Sequence, residues 1–243
     1  KRLVFFSTAM VSGDRTGVVL EEDLDCGQRF RNPLLETKFR AEGIVRRAMD
    51  SIPTTILRPA IIVGDSKTGE IDRLDGPYIL VSMILASPAR LTMPLPARGD
   101  APLHLVPIDF VVEASLAAAR DPRAAGKTLH LVDPNPLSAR EVFERIARVA
   151  HRTLPRGFVP ANLSRMLLRT PGLERFRSPL AFVETLATDV TYSSINTDEI
   201  LRDSGIRCPP FDAYVDKLVE YVQDRFRRLR AEERDSEVQD PLF

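Results

Sequence analysis

The apolar positions of this chain form short runs that alternate with amphipathic segments. Three runs bounded by charged or turn-forming residues, at 3–7, 54–63 and 128–132, are typical of buried parallel strands. Helical spacing of apolar residues is found at 34–49, 78–85, 109–120, 139–150, 198–204 and 211–229. Strands that alternate with helices predict an α/β fold with a parallel sheet.

Local signals define several boundaries of these elements. Asn32 followed by Pro33 predicts a helix N-cap with proline at the first helical position. Ser138 with Glu141 three residues later predicts a capping box. Pro59 lies inside the second strand and predicts a bend there. The segments between the elements are predicted as loops at 14–32 and 64–78, an extended or looped stretch at 87–107, and a less regular helical stretch at 159–189.

Composition and charge exclude several classes of function. Lys+Arg and Asp+Glu each number 34, so the zero net charge gives no reason to expect nucleic acid or an anionic membrane as partner. The sequence has no run of about eighteen apolar residues that would predict a membrane span. Two isolated cysteines and three scattered histidines indicate neither a disulfide framework nor a metal site, and a reducing cytoplasm is the expected location.

The start of the sequence has its own implication. The chain begins at Lys1 and opens directly on a buried-strand pattern, with no element before it. We therefore expect that the first part of the fold is missing from this sequence.

Three motifs could carry chemistry, and each also has an ordinary structural interpretation. Thr8 follows the first strand, where open α/β sheets bind ligands, but hydroxyl residues are common at strand ends. Lys38 could direct an ammonium into a cleft, but it could also form a surface pair with Glu42 one turn later. The sequence from Arg58 through Pro59 to Gly64 marks either a strand that turns abruptly or a bent edge strand.

In this order and at these spacings, the three motifs resemble those of the extended short-chain dehydrogenase/reductases. That family has a Ser/Thr-Ala-x-Val-x-Gly strand end, a Tyr-x-x-x-Lys helix and an Arg-Pro-x-x-x-x-Gly strand. The segment 104–111 is similar to the family's Val-Pro-Val-Asp-Tyr-Val segment, and 127–131 to a later strand. The loop at 64–69 and the Gly-Pro-Tyr at 76–78 most resemble the fatty acyl-CoA reductase and thioester reductase branch. The resemblance covers roughly residues 2 to 225.

The resemblance implies a fold, a cofactor and a class of substrate. The fold would be the later part of a Rossmann-type doubly wound parallel sheet, with a smaller, mostly helical substrate-binding region. The cofactor would be NADP or NAD, and the substrate a small molecule with an acyl thioester or a related carbonyl. Subunits of this family often pair through the helix that contains Lys38, so a homodimer is a possible assembly.

The same resemblance assigns roles to individual residues. Thr8 matches the hydroxyl that hydrogen-bonds the substrate carbonyl oxygen. Lys38 matches the lysine that holds the nicotinamide ribose and lowers the pKa of the catalytic tyrosine. The resemblance assigns contacts with the nicotinamide to Pro59, Ala60 and Ile61, and contacts with substrate to Thr8, Met10 and Tyr78.

Two departures from the family pattern put catalysis in doubt. Leu34 stands where the family has its tyrosine, four residues before Lys38, and a leucine has no proton to give. Thr37 is too weak an acid to replace it, and Tyr78 is the remaining candidate from a loop. The G-x-G-x-x-G fingerprint that would bind the pyrophosphate is absent. The sequence therefore allows two functions, an impaired NAD(P)-dependent reductase or a non-catalytic binding protein of the same fold.

The resemblance also predicts a division of the chain. We expect the Rossmann-type part at 1–136 with substrate-region segments inserted at about 64–107, a mostly helical substrate region at 137–230, and a flexible charged tail at 231–243.

Overall fold

The computed structural model describes residues 1–30, 32–74, 77–86, 99–153 and 188–238. The strands in these ranges are β1 (Leu3–Phe6), β2 (Gly17–Val19), β3 (Thr54–Pro59), β4 (Ile61–Val63), β5 (Leu105–Pro107), β6 (Thr128–Leu131) and β7 (Val190–Tyr192). The α-helices are α1 (Pro33–Ala48), α2 (Pro77–Ala86), α3 (Ile108–Arg120), α4 (Ala139–Val149), α5 (Ile195–Leu201) and α6 (Val215–Val238). The alternation confirms the α/β fold with parallel strands.

The central sheet has three parallel strands in the order β1-β3-β6. All six residues of β3 are buried, as expected for the middle strand of a parallel sheet with both faces covered. β1 lies at one edge, and no strand within the described ranges pairs with its outer side. The side chains of Leu3 and Phe6 at this edge are 40% and 48% exposed. Among the described residues, the sheet therefore has an open edge beside the first candidate motif.

Two short strand pairs differ from the expected pattern. β2 pairs with β7, so the prediction of a loop throughout 14–32 is wrong. The single strand expected at 54–63 is also wrong, because the backbone turns at Ala60 and β4 leaves the central sheet to pair with β5. The bend expected at Pro59 is thereby confirmed. This bend carries the chain from the central sheet to the separate β4–β5 pair.

The described residues form two hydrophobic clusters in the core. The first joins the central sheet to α3 and α5, and its buried members include Leu57, Val106, Phe110, Leu129 and Leu201. The second joins the α2, α4 and α6 helices to β4 and β5, and its buried members include Val63, Tyr78, Phe143, Tyr214 and Val222. Segments from 61–105 thus share one core with segments from 137–226, apart from the central sheet.

The helix ends follow the capping signals in most places. Asn32 Oδ1 accepts from the backbone N–H of Leu34, and both hydrogen bonds of the Ser138–Glu141 capping box are present. α5 begins at Ile195, before the predicted start, and has no side-chain cap. α6 continues past 229 to Val238, through most of the predicted tail. The predicted helical stretch at 159–189 lies almost entirely outside the described residues, as do 87–98 and 239–243.

One glycine lies directly against the C-terminal helix. Gly69 has φ +73°, a conformation that favours glycine. A Cβ on Gly69 would lie 2.1 Å from the carbonyl oxygen of Lys217 in α6. The loop after β4 can therefore approach α6 only because residue 69 has no side chain.

Candidate active site

Thr8 lies immediately after β1, at the carboxyl end of the central sheet. Its Oγ1 accepts from the backbone N–H of Met10 at 3.3 Å and caps a short 3₁₀ turn at 9–12. The same hydroxyl donates to the carbonyl of Pro59 at 3.4 Å, a long and weak hydrogen bond. The structure thus brings Thr8 and Pro59 together, as expected from two strands that end at one edge.

α1 carries Leu34 and Lys38 one turn apart on one face of the helix, and Lys38 reaches the end of β1, two residues before Thr8. The Asn32 cap and Pro33 fix where this helix begins. The Nζ of Lys38 donates to the carbonyl of Phe6, the last residue of β1, at 3.4 Å. Leu34 is 64% exposed. The helix therefore brings a cation to the end of β1, but the position four residues earlier offers only a hydrocarbon side chain.

The alternative in which Lys38 forms a surface pair with Glu42 is wrong. Glu42 is fully buried, and Lys38 donates to a backbone carbonyl. The carboxylate of Glu42 instead accepts from Ser7 Oγ at 2.5 Å, Arg58 Nη2 at 2.7 Å and Arg46 Nε at 3.0 Å. Burial raises the pKa of Glu42, but the hydrogen bonds and charge of Arg58 outweigh it, so that the pKa is lowered. Glu42 is thus an ionised residue in the interior.

Arg58 is the buried cation opposite this carboxylate. Its Nη1 donates to the carbonyl of Glu21 and to Nε2 of His130, and its Nη2 donates to the carbonyl of Asp23. Together with the bonds from Nε and Nη2 to Glu42, these contacts use all five N–H groups of the guanidinium. Arg58 therefore connects β3 with α1, β6 and the loop after β2.

A narrow cleft lies beside the strand ends. Its lining residues are Ala9, Met10, Ala60, Ile61, Pro102, His104, Thr188, Val190 and Tyr192. The cleft has a volume of about 20 Å³, which is enough for one water molecule but not for an aromatic ring. The structure thus gathers three residues predicted for cofactor or substrate contact, Met10, Ala60 and Ile61, around one small cavity.

His104 and Tyr192 line this cleft, and the sequence assigned neither of them a role, although His104 begins the 104–111 segment of the family resemblance. Nε2 of His104 faces the carbonyl of Val190 at 3.1 Å, and burial lowers the pKa of the imidazole. The Tyr192 hydroxyl lies 3.0 Å from Ser12 Oγ, and burial raises the pKa of this tyrosine. The His104 and Tyr192 rings meet edge to face at 4.9 Å. Tyr192 belongs to a strand some 180 residues from Ser12, so no local sequence signal could place it here.

Tyr78 does not line the cleft, contrary to the expectation of a substrate contact. Its side chain is 2% exposed and lies in the second hydrophobic cluster. The phenol oxygen accepts from the backbone N–H of Gly64 at 2.6 Å, and burial raises the pKa of Tyr78 to about 12. The proton of the Thr37 hydroxyl is also used, because it is donated to the carbonyl of Pro33. Neither residue is placed as a replacement acid for Leu34.

The described ranges hold neither a metal-binding cluster nor a membrane-spanning helix. No group of three or more His, Cys, Asp or Glu residues there could hold a metal ion. Among the helices of the same ranges, none has the length and apolar character needed to cross a membrane.

Comparisons with known proteins agree with the sequence resemblance. Residues 1–115 match the family model described as Male sterility protein, an NAD-binding family. A linear gramicidin synthase from Brevibacillus parabrevis is 26% identical over 235 residues, and fatty acyl-CoA reductase wat from Drosophila melanogaster is 33% identical over 95 residues. The crystal structure of the terminal R domain from the myxalamid PKS-NRPS pathway has a TM-score of 0.75 and 25% identity.

The extent of these matches differs between the chain and its relatives. The match covers 89% of this chain but 4% of the gramicidin synthase, and 38% of this chain but 18% of the fatty acyl-CoA reductase. For the R domain the corresponding shares are 93% and 58%. This chain therefore spans only a part of each of these relatives.

Proposed function

Because residues 1–115 match the male-sterility family model and the chain resembles the terminal R domain, we propose that it is a member of the extended short-chain dehydrogenase/reductase family that acts in the NAD(P)-dependent reduction of an acyl thioester or a related carbonyl. The observation that carries the proposal is the convergence of Thr8 and Lys38 on the carboxyl ends of β1 and β3. A hydroxyl and an ammonium at this edge lie where open α/β sheets bind their ligands.

The side chains beside the cleft have the chemistry expected for the nicotinamide and ribose end of the cofactor. Lys38 supplies a cation beside the end of β1, and Ala9 and Ala60 supply small side chains at the cleft. When bound, NADPH or NADH supplies the hydride for the carbonyl carbon. Binding of a ring requires the cleft to open beyond its volume of about 20 Å³. In this proposal Lys38 holds the ribose hydroxyls, and the backbone from Pro59 to Ile61 lines the nicotinamide.

Thr8 is the group proposed to bind the substrate carbonyl. Its hydroxyl donates to Pro59 over 3.4 Å, so little hydrogen-bond energy is lost when the proton turns toward a substrate oxygen. The bond from the Met10 N–H to Oγ1 remains and keeps the hydroxyl oriented. Thr8 can therefore polarise a carbonyl without any change in the backbone.

Leu34 limits what the site can do with that carbonyl. Reduction builds negative charge on oxygen, and a positioned acid typically contributes about 10²–10⁴-fold to the rate. The exposed leucine supplies no proton, and Thr37 and Tyr78 are both committed elsewhere. We therefore propose a reductase whose proton-transfer step is impaired.

The relatives indicate the chemical class of substrate. One is a fatty acyl-CoA reductase, and others are a linear gramicidin synthase and the terminal R domain of a PKS-NRPS pathway. On this basis we propose an acyl thioester as substrate. Because Cys26 and Cys208 are free thiols, we place the reaction in the cytoplasm. A homodimer through α1 is a further proposal, which sedimentation of the chain would test.

The second candidate function is a binding protein of the same fold that does not catalyse reduction. Leu34 favours this function because a leucine has no proton to give, whereas Thr8, Lys38 and the strand end at Pro59 favour the reductase. An assay of NADPH or NADH oxidation with an acyl-CoA and an N-acetylcysteamine thioester, made in a protein with the complete cofactor site, decides between the two. Turnover that Thr8→Val abolishes supports the reductase. Absence of turnover, with thioester binding that Thr8→Val weakens, supports the binding protein.

A further inference from the structure

The buried carboxylate of Glu42 lies where three supporting segments of the candidate site meet. Its oxygens accept from Ser7 Oγ at 2.5 Å and from Arg58 Nη2 at 2.7 Å. Ser7 directly precedes Thr8, and Arg58 directly precedes Pro59. Glu42 itself lies on α1. The Glu42 carboxylate therefore joins the ends of β1 and β3 to α1, the helix that carries Lys38.

The contacts within the site are weaker than those beneath it. Lys38 reaches Phe6 and Thr8 reaches Pro59 over 3.4 Å in each case, beyond the usual range for such bonds. The bonds to Glu42 are short and charge-assisted. They lie in the protein interior, where a hydrogen bond is stronger than it is in water. The relative placement of the site residues is therefore set by the buried layer and not by their own contacts.

We propose that Glu42 is the positioning residue of this site. Glu42 holds the end of β1 through its hydrogen bond with Ser7, and the end of β3 through its ion pair with Arg58. Because Glu42 and Lys38 lie one turn apart on α1, these bonds also fix the position of the Lys38 ammonium relative to the Phe6 carbonyl. The inference depends on the proposed function only in taking Lys38 as the group that holds the cofactor ribose. Glu42 touches neither substrate nor cofactor and acts through these neighbours.

The test is a spectroscopic signature of Lys38 in the whole chain. The chain has five lysines, so reductive methylation with ¹³C-formaldehyde gives a simple set of dimethyl-lysine signals that Lys→Arg variants assign. Methylation keeps the charge and leaves one N–H donor. The exposed Lys67 serves as the internal reference for an ammonium in water. In the parent we expect the Lys38 signal to be separate from that of Lys67.

Two substitutions remove the proposed positioning, and a third is the matched control. Ser7→Ala removes one bond to Glu42 and leaves the ion pair with Arg58 intact. Glu42→Gln removes the charge. Ser115→Ala deletes another buried serine hydroxyl, which donates to the Val111 carbonyl within α3 and touches no part of the network. In Ser7→Ala and Glu42→Gln we expect the Lys38 signal to move most of the way to that of Lys67, whereas in Ser115→Ala it stays.

An unchanged Lys38 signal in folded Ser7→Ala overturns the proposal, and so does a parent signal that coincides with that of Lys67. If Glu42→Gln does not fold, as judged by far-ultraviolet circular dichroism, Ser7→Ala decides alone. Failure of the proposed function is seen separately, as absence of NAD(P)H oxidation by a protein that contains the parent sequence and the complete cofactor site. Where the parent turns over, Ser7→Ala should lower kcat on the order of tenfold to a hundredfold and leave KM for the thioester unchanged.

Discussion

The guanidinium of Arg58 donates a hydrogen bond to Nε2 of His130 over 3.1 Å, and both side chains are fully buried. A buried cation on one side requires a neutral imidazole, whose proton then lies on Nδ1 and is donated to the carbonyl of Ser193 at 2.7 Å. Burial and the charge of Arg58 lower the pKa of His130 to about 4. Between about pH 4 and pH 6.5, His130 is therefore neutral in the folded protein and protonated in the unfolded chain.

We expect the free energy of unfolding to fall as the pH is lowered from about 6.5 toward 4. The stabilisation from neutral His130 is complete above the unfolded pKa of 6.5 and is lost progressively as the pH approaches the folded pKa of about 4. Between pH 7 and pH 5 we expect a loss of about 2 kcal/mol, which urea unfolding at the two pH values would measure. In His130→Gln, whose amide oxygen can still accept from Arg58, most of this loss should disappear. An equal loss in the variant would assign the effect to other groups.

Restoring a tyrosine at position 34 should increase reduction by at least about tenfold, since a positioned acid typically contributes about 10²–10⁴-fold. Leu34 is exposed on the side of α1 that carries Lys38, so a phenol there has room and a neighbouring cation that lowers its pKa. The measurement is NADPH oxidation with an acyl thioester or an aldehyde, in a protein with the complete cofactor site. Adding Lys38→Ala should abolish the gain. A parent that already turns over at a rate normal for its class, with no change in Leu34→Tyr, would show that another acid is at work.

Tyr78→Phe should lower stability and leave reduction unchanged. The substitution removes the oxygen that accepts from the Gly64 N–H, and a buried N–H without a partner costs about 1–3 kcal/mol. Tyr214→Phe is the matched control, because that buried phenol makes only a 3.5 Å bond to the Leu105 carbonyl and should cost less. Urea unfolding and turnover are measured for both variants. Loss of turnover in Tyr78→Phe at unchanged stability would instead make Tyr78 the proton donor.

The open edge at β1 should promote self-association of the chain. Leu3 and Phe6 are exposed beside backbone groups that lack a strand partner on that side within the described ranges, and such edges readily pair with other strands. Replacing Leu3 and Phe6 by lysine should shift sedimentation velocity profiles toward the monomer. Val112→Lys is the control, since Val112 is similarly exposed but lies on a helix, α3, and not on an unpaired strand. The same shift in this control would indicate a general effect of charge.

Those parts of the fold that depend on local patterns could be predicted from the sequence. The central strands are apolar runs with clear boundaries, and α1 and α4 begin at side-chain caps, so each could be found from neighbouring residues. β2 and β7 have three residues each and pair across most of the chain, which leaves no local signal.

The candidate site was predictable only in part for the same reason. Thr8, Lys38 and Pro59 follow from a spaced motif, but the burial of Glu42 depends on Ser7 and Arg58 meeting it in space. Lys38 and Glu42 lie four residues apart on a helix, a pattern that predicts an ion pair on the surface. In the fold, Glu42 is buried. Tyr78 shows the converse, because nothing in its neighbouring residues indicates that its hydroxyl is used by Gly64.

The close approach of Gly69 to the Lys217 carbonyl has an evolutionary consequence. Any side chain at position 69 would displace α6 or the loop, because the obstacle is backbone and cannot change rotamer. Substitutions at this position should therefore be accepted only together with insertions, deletions or a shifted helix near residue 217. Among homologous sequences we expect the glycine to be retained wherever the lengths of the loop and helix are retained, and to vary jointly with them elsewhere. An ancestral lineage that lost this glycine would have had to rebuild the packing of its C-terminal helix at the same step.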